Sequence, residues 1–342
     1  MVVVVPPPSR QTNLALLLLL AGAFVTGWLA FGVGAWPESR VVAVVHGILG
    51  LGILVLVPWK AVIVRRGLRR RRRHAPAVAF AVVVAVGLFA GIVHATLGPL
   101  EVSGVSALDV HVALAVVAVP LLLLHVVGRR QRPRTTDLSR RTALRAIAIG
   151  GTAALAYGAV EATTSTAHLP GARRRATGSY EVGSGAPSTM PVTQWFTDAV
   201  PRVDLASFQL LVTRPGASTL RLSHSELLAM SGATRSEVLD CTGGWWAEQT
   251  WRGVPLDALL GTPDHGSIAV RSMTGYTRHF PPHDAPALLL ATQVGGAPLS
   301  PGHGAPVRLV APGRRGFWWV KWVEQVSVEP QPWWSQSPFP LQ

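Results

Sequence analysis

The sequence predicts two parts of different class: an all-α transmembrane helix bundle, then an α+β domain with a mostly β core. Three observations carry this. Four apolar runs fall within the first 130 residues, each about the twenty residues that cross a hydrocarbon core. The chain is 49% hydrophobic and only 14% charged, a balance typical of membrane proteins. Beyond residue 190 the long runs give way to short β-like segments broken by Gly and Pro.

The four spans are Asn13–Trp36, Val41–Val64, Ala75–Leu97 and Ala107–Val127. Two loops between or after them are strongly basic, RRGLRRRRRH (Arg65–His74) and GRRQRPRTTDLSRR (Gly128–Arg141). The opposite loops, WPESR and GPLEVSGVSALD, carry one Arg and three acids. Positively charged loops stay inside, so the N-terminus and both arginine loops are expected in the cytoplasm. The same bias locates the formal net charge of +14: residues 1–145 hold sixteen Arg and one Lys against four acids, leaving +1 for the rest. The basicity is topological, and nucleic acid is not expected as a partner.

A fifth apolar segment, AIAIGGTAALAYGAV (Ala146–Val160), is short for a span and rich in Gly and Ala. SRRTALR (Ser139–Arg145) precedes it and resembles a twin-arginine export signal; a plain cytoplasmic basic flank explains it equally. In either reading the segment crosses outward, so all that follows is expected outside the cytoplasmic membrane. The stretch Glu161–Met190 is dense in Thr, Ser, Gly, Pro and Ala, the composition of a linker. The expected organisation is therefore a bundle over 1–130, then the arginine loop, the twin-arginine-like motif and the fifth segment over 131–162. A linker over 163–190 and a second domain over 191–342 complete it.

Histidines within membrane spans are costly and so point to function. His46, His94 and His111 lie near the outer ends of their spans, and His125 near the inner end. His111 and His125 are 14 positions apart, which puts them on one helix face roughly 21 Å apart. This spacing resembles that of membrane cytochromes b, whose helices hold stacked haems between pairs of histidines. The resemblance implies one haem b, or two, with His46, His94, His111 and His125 as candidate ligands. For the inner site the only apparent histidine partner is His74. The plainer alternative is that some of these rings hydrogen-bond between helices. A c-type haem is excluded, since Cys-x-x-Cys-His needs more than the single cysteine present.

In the second domain, SFQLLV, SIAVRSM, APVRLVA and WWVKWVEQVSV read as strands. SHSELLAM (Ser223–Met230) reads as a helix opened by an N-cap Ser, and PLDALL (Pro255–Leu260) as a second helical turn. No Rossmann glycine fingerprint or P-loop occurs, so nicotinamide and nucleoside triphosphate chemistry have no support. The lone cysteine, Cys241, stands in LDCTGGWWAEQTWRGVPLDALL (Leu239–Leu260). Read by itself it is either a small buried hydrophobe or a ligand or nucleophile. No triad signature accompanies it.

That segment resembles the molybdenum-ligand segment of the sulfite oxidase superfamily. GGAPLSPGHGAPVRLVAPGRRGFWWVKWVEQVSV (Gly295–Val328) is similar to the pterin-binding half, and PVTQWFTDAVPRVDLASFQLLV (Pro191–Val212) to the start of that domain. The likeness covers roughly Pro191–Pro330. It implies a sulfite oxidase-like molybdopterin domain in which Cys241 binds molybdenum. It also implies that His303, Arg308, Arg314, Gly316, Phe317 and Lys321 hold the molybdopterin. A soft thiolate suits such a centre, and a phosphate-bearing pterin calls for cationic donors. Without the motif, His303 and Arg308 read as a solvated loop pair. Gly243, Gly244, Gly313 and Gly316 are expected to let backbone approach the cofactor, and the tryptophans to form core and pocket wall. Tyr276 and Arg278, in GYTRHFP, are candidates by position for proton donor and anion contact.

Two departures stand out. Many members place an Asn or His against the pterin where this chain has Thr193-Gln194-Trp195. The Lys-Trp strand also falls about a dozen residues before the end of this sequence, so the immunoglobulin-like dimerisation domain of true sulfite oxidases is not expected. The chain thus resembles shorter bacterial periplasmic molybdoenzymes. These include a methionine-sulfoxide reductase subunit that partners a separate haem-bearing membrane subunit, and here both parts are joined in one chain.

The expected function is a membrane-anchored oxidoreductase exchanging electrons between the quinone pool, haem b and an extracytoplasmic molybdenum site. The expected direction is reduction of an S- or N-oxide. Oxidation of sulfite at the same site is the alternative, and a membrane haem protein with a non-catalytic binding domain is the alternative of another class. Expected partners are membrane lipid, quinone or quinol, and a small oxo-transfer substrate.

Overall fold

The computed structural model describes residues 9–34, 38–68, 75–127, 137, 139–194 and 198–337. His74, most of both arginine loops and Trp195 lie outside the described residues. The chain forms two compact units that part after Tyr180.

The first unit contains α1 (Ser9–Gly32), α2 (Glu38–Leu68), α3 (Ala75–Leu97), α4 (Ala107–Val127) and α5 (Arg140–Thr166). All five are long and apolar enough to cross a membrane. α3 packs on α4 and α2 on α5. A two-stranded hairpin, β1 (Glu101–Val102) with β2 (Val105–Ser106), joins α3 to α4. Ile53 and Leu56 are buried between helices, whereas Leu18, Phe89 and Leu124 face outward. α5 is longer than the expected fifth segment, because it opens at a Ser139 N-cap that accepts the Thr142 N–H at 3.3 Å. It then runs on through the Thr-rich end to Thr166.

The stretch read as a linker is fixed to this unit as far as Tyr180. Arg174 donates to the carbonyls of Ala95 (2.9 Å) and Gly171 (2.7 Å) and pairs with Glu161. The Tyr180 hydroxyl donates to the His94 carbonyl. Composition hid this because most of the groups that anchor the segment are backbone carbonyls.

The second unit follows the short β3 (Tyr180–Glu181). Its strands are β4 (Gln209–Thr213), β5 (Leu220–Ser223), β6 (Ala233–Asp240), β7 (Trp245–Pro255) and β8 (Ser267–Ser272). Then come β9 (Thr277–Phe280), β10 (Leu289–Val294), β11 (Ala297–Pro298), β12 (Arg308–Val310) and β13 (Val323–Glu329). Helices α6 (His224–Met230) and α7 (Leu256–Leu260) are short. Ser223 and Glu226 form a reciprocal capping box at the start of α6.

One sheet sets β6 against β7 and β7 against β10, with β11 and β12 both pairing the other side of β10, all antiparallel. The other runs β5-β4-β13-β8-β9, where only β4 and β13 are parallel. Leu210, Val212, Ile268, Val270 and Val326 of the second sheet share one core with Ala247, Trp251, Leu289, Leu290 and Leu309 of the first. Each fully buried large apolar side chain contributes about 1.5–3 kcal/mol. The architecture is α+β and mostly β, with apolar helices preceding it. The run WWVKWVEQVSV is strand only from Val323 on, as part of Val323–Glu329, and its first residue closes a 3-10 turn over Gly316–Trp318.

Candidate functional site

β6 and β7 form a long hairpin whose last pair is Asp240 with Trp246. Cys241 begins its turn, donating its N–H to the Trp245 carbonyl at 2.8 Å, while the Gly244 N–H returns to the Cys241 carbonyl at 3.3 Å. Gly244 has φ +85, a conformation that disfavours a side chain. Cys241 is buried at this tip, and its Sγ accepts the Gly243 N–H at 3.4 Å.

A second loop, following β12, locks the tip. Arg315 pairs with Asp240, both side chains under a tenth exposed, and donates to the Cys241 carbonyl at 3.2 Å. A Cβ on the next residue, Gly316, would stand 3.1 Å from Cys241 Cα and 3.3 Å from the Asp240 carbonyl oxygen. Gly316 thus lets the Arg315 loop seat against the turn.

Cys241, His303, Arg308, Gly316 and Lys321 line one cavity together with Thr193 and Trp245. Its free space of about 30 Å³ suits the metal end of a cofactor and not a whole pterin. Arg308 is 1% exposed. Its Cζ lies 5.1 and 5.7 Å from the Trp251 and Trp319 ring centroids. Two of its nitrogens reach the carbonyls of His303 (3.1 Å) and Trp319 (3.4 Å), while Nε has no partner. Burial pushes its pKa down to about 10. Lys321 donates to the carbonyls of Thr193 (2.8 Å) and Gly302 (2.7 Å). Burial, and then the nearby Arg308 charge, push it down to about 7.

Among the described residues no carboxylate forms an ion pair with Arg308 or Lys321. A buried guanidinium left in this state beside a half-buried amine is costly until an anion joins them. Burial pushes the Cys241 thiol up, against the opposing pull of the Gly243 N–H, Arg315, Thr193 and Lys321. The donor set fits an anionic, sulfur-ligated metal cofactor: one soft sulfur, a guanidinium and an amine without a carboxylate partner, and an unused Arg308 Nε. His303 is committed on both ring nitrogens, to Ser300 Oγ (2.9 Å) and the Met190 carbonyl (3.0 Å). It serves the site through its own carbonyl, which holds Arg308.

The remaining expected residues fall elsewhere. Arg314 pairs with Asp284 at 2.6 Å and lies over the Trp318 ring, so it does not line this cavity. Its neighbour Arg315 takes the structural role that sequence reading missed; two adjacent arginines carry no sign of which one turns inward. Tyr276, Arg278 and Phe317 form a separate cluster. Arg278 Nε donates to the Tyr276 hydroxyl (2.8 Å), which donates to the Phe317 carbonyl (2.6 Å). Burial pushes the Tyr276 pKa up to about 12. Arg278 also lies over the Phe317 and Trp318 rings, and none of the three lines the Cys241 cavity. A Cβ on Gly313 would meet nothing within 4 Å.

In the helical unit the rings of His46 and His111 meet edge to face, centroids 5.9 Å apart. Each Nδ1 is tied to a carbonyl, His46 to Ala23 (3.0 Å) and His111 to Gly87 (2.8 Å). Gly27 and Gly91 give these rings room, since a Cβ would stand 3.0 Å from His46 and 2.8 Å from His111. His94 is held apart by the Gly178 carbonyl at 2.9 Å and the Tyr180 ring. His125 stacks on Phe80.

A lone buried thiol facing cations that lack a carboxylate partner suits a site that takes up an anionic, sulfur-ligated metal cofactor. Residues 197–337 match the family described as oxidoreductase molybdopterin binding domain, and the C-terminal part of the chain is similar to sulfite oxidases. The chain is 32% identical over 170 residues to the sulfite oxidase of Gallus gallus, covering 38% of this chain and 37% of that protein. It is 31% identical over 153 residues to inducible nitrate reductase [NADH] 2 of Glycine max, covering 34% of this chain and 17% of that one. It therefore spans about a third of the length of the sulfite oxidases it matches. Among solved structures it is similar to the sulfane dehydrogenase SoxCD of Paracoccus pantotrophus, at 23% identity and a TM-score of 0.36, over 39% of this chain and 40% of that one.

Proposed function

We propose that the protein is a membrane-anchored molybdopterin-dependent oxidoreductase that carries electrons between the quinone pool, a haem b and a molybdenum site outside the cytoplasmic membrane, reducing an S- or N-oxide. The observation that carries this reading is the single cysteine at a hairpin tip facing Arg308 and Lys321, inside a domain of the molybdopterin-binding family. When bound, the molybdenum cofactor supplies oxygen-atom exchange coupled to two electrons.

The chain's own residues supply the rest. Cys241 presents the protein's sulfur ligand. Arg308 and Lys321 hold the anionic part of the cofactor, and the Trp251–Trp319 pair keeps water from Arg308. Arg315 and Asp240 fix the turn that aims the sulfur. Tyr276 and Arg278 support the Gly316–Phe317 loop from behind. In the helical unit, His46 and His111 are the pair best suited to hold a haem b, because both Nδ1 atoms are already tied and the rings face each other.

Oxidation of sulfite at the same site is the second reading, supported by the sulfite oxidases among the relatives. Metal analysis and an optical spectrum of the purified protein, followed by dye-linked assays with sulfoxides and with sulfite, test both. Molybdenum with turnover of a sulfoxide or N-oxide supports the first reading, and turnover of sulfite alone supports the second. Protein purified without molybdenum, or a Cys241→Ser variant of full activity, sinks both.

A further inference from the structure

We infer that Gln336 is a positioning residue for the metal-ligand turn, acting through Arg278, Tyr276 and the Phe317 carbonyl on the seat that Gly316 gives Cys241. This rests on the reading of Cys241 as the molybdenum ligand. The route starts at a sheet edge. β9 is the last strand of its sheet, so its outer backbone groups need a partner from elsewhere. A carboxamide brings both a donor and an acceptor, as a strand residue does. Gln336, just past a 3-10 turn over Trp333–Ser335, gives both to His279. Its Oε1 accepts the His279 N–H at 3.0 Å, and its Nε2 donates to the His279 carbonyl at 2.6 Å. These partners fix which way the amide faces, because a backbone N–H only donates and a carbonyl only accepts.

With the amide so turned, Oε1 also meets Arg278. Arg278 is 2% exposed and, among the described residues, pairs with no carboxylate. Its Nη1 donates to Gln336 Oε1 at 3.3 Å and to the Ser337 carbonyl at 2.7 Å, while Nη2 has no hydrogen-bond partner. Its Nε donates to the Tyr276 hydroxyl at 2.8 Å. A guanidinium only donates, so the hydroxyl accepts there and gives its own proton to the Phe317 carbonyl at 2.6 Å.

Phe317 lies in the 3-10 turn over Gly316–Trp318, whose first residue packs on the Cys241 backbone. That turn has an anchor before it, Arg315 on Asp240, and another within it, the Tyr276 hydroxyl on the Phe317 carbonyl. The first is a buried ion pair. The second is a neutral hydrogen bond whose direction depends on where Arg278 is held. Gln336 fixes the far end of Arg278, so each donor along the route has one place to go. Groups that support a ligand in this way set its orientation and tune the metal. Gln336 thus bears on the sulfur without touching it.

The test is hydrogen exchange read by mass in the full-length protein, on the peptide that carries Cys241 and Gly244. Their N–H groups bond the carbonyls of Trp245 and Cys241. Gln336→Leu should speed exchange there about fivefold, the local opening expected for one lost hydrogen bond, and leave α6 unchanged. Tyr276→Phe should do the same, and the double variant should be no faster than either alone, since both cut one route. In the metal-loaded protein Gln336→Leu should also alter the Mo(V) resonance, which depends on how the sulfur is set. An unchanged exchange rate or an unaltered resonance in Gln336→Leu overturns the inference. So does a double variant whose two effects multiply, or a rise shared equally by α6. If Gln336→Leu does not fold, Gln336→Asn, which withdraws the amide by one carbon, decides by the same readouts. Cys241→Ser separates the two levels. Retention of molybdenum by that variant would defeat the ligand assignment itself, whereas its loss beside unchanged exchange in Gln336→Leu would defeat only the role of Gln336.

Discussion

Arg315 and Asp240 face each other across two loops, and the residue that follows Asp240 is Cys241. The pair is almost wholly out of water, and the same guanidinium holds the Cys241 carbonyl. Breaking one side of such a pair leaves a buried charge alone. Arg315→Ala should therefore cost about 3–5 kcal/mol, read as loss of thermal stability of the C-terminal unit. Molybdenum content should fall with it, because the turn that aims the sulfur loses its anchor.

Arg308 should behave in the opposite way. In the cofactor-free protein it is a buried cation without an ion pair and with an unused Nε. Arg308→Met should raise the stability of the cofactor-free protein by about 1–3 kcal/mol, while lowering molybdenum retention at least about tenfold. Stability and metal content moving in opposite directions would mark Arg308 as placed for a ligand. A joint fall would mark it as structural.

Lys321 gives a pH signature. Its folded pKa is about 7, below that of a free lysine. Between about 7 and the ordinary lysine value the unfolded chain binds more protons than the folded one, so stability rises with pH across that window. Cofactor-free protein should gain melting temperature from pH 7 to pH 10 relative to Lys321→Met. The difference between the two should shrink once the anionic cofactor is bound.

The helical unit is testable by colour. On the proposed assignment of a haem b to His46 and His111, whose rings face each other, His46→Ala or His111→Ala should abolish its bis-imidazole spectrum. His94→Ala should retain it, since that ring is tied to Gly178 and Tyr180. A spectrum lost with His94 and kept without His46 would reverse the assignment.

Much of this was legible in the residues. Span length located the apolar helices, and the Ser223 cap was readable as the serine that opens the SHSELLAM stretch. The strand after the cysteine was not recognised, although Trp245, Ala247, Gln249 and Trp251 alternate inward along β7. The tryptophan pair at its start masked that period of two. Arg308, Lys321 and Cys241, singled out by their motifs, line one cavity. Arg314 does not, because the loop's direction at Gly316 depends on a contact with Cys241 that lies 75 positions upstream. Pairings of that range leave no trace in local spacing.

Having one cysteine has a practical consequence for how the protein matures. The chain carries a single thiol, and it lies at the very position where the metal is proposed to attach. Alkylation of the folded protein with a small reagent, followed by mass measurement, then separates chains whose sulfur is open from chains whose sulfur is occupied. The same solitude is a hazard, because one oxidised sulfur would bar an otherwise correctly folded chain from ever receiving the metal.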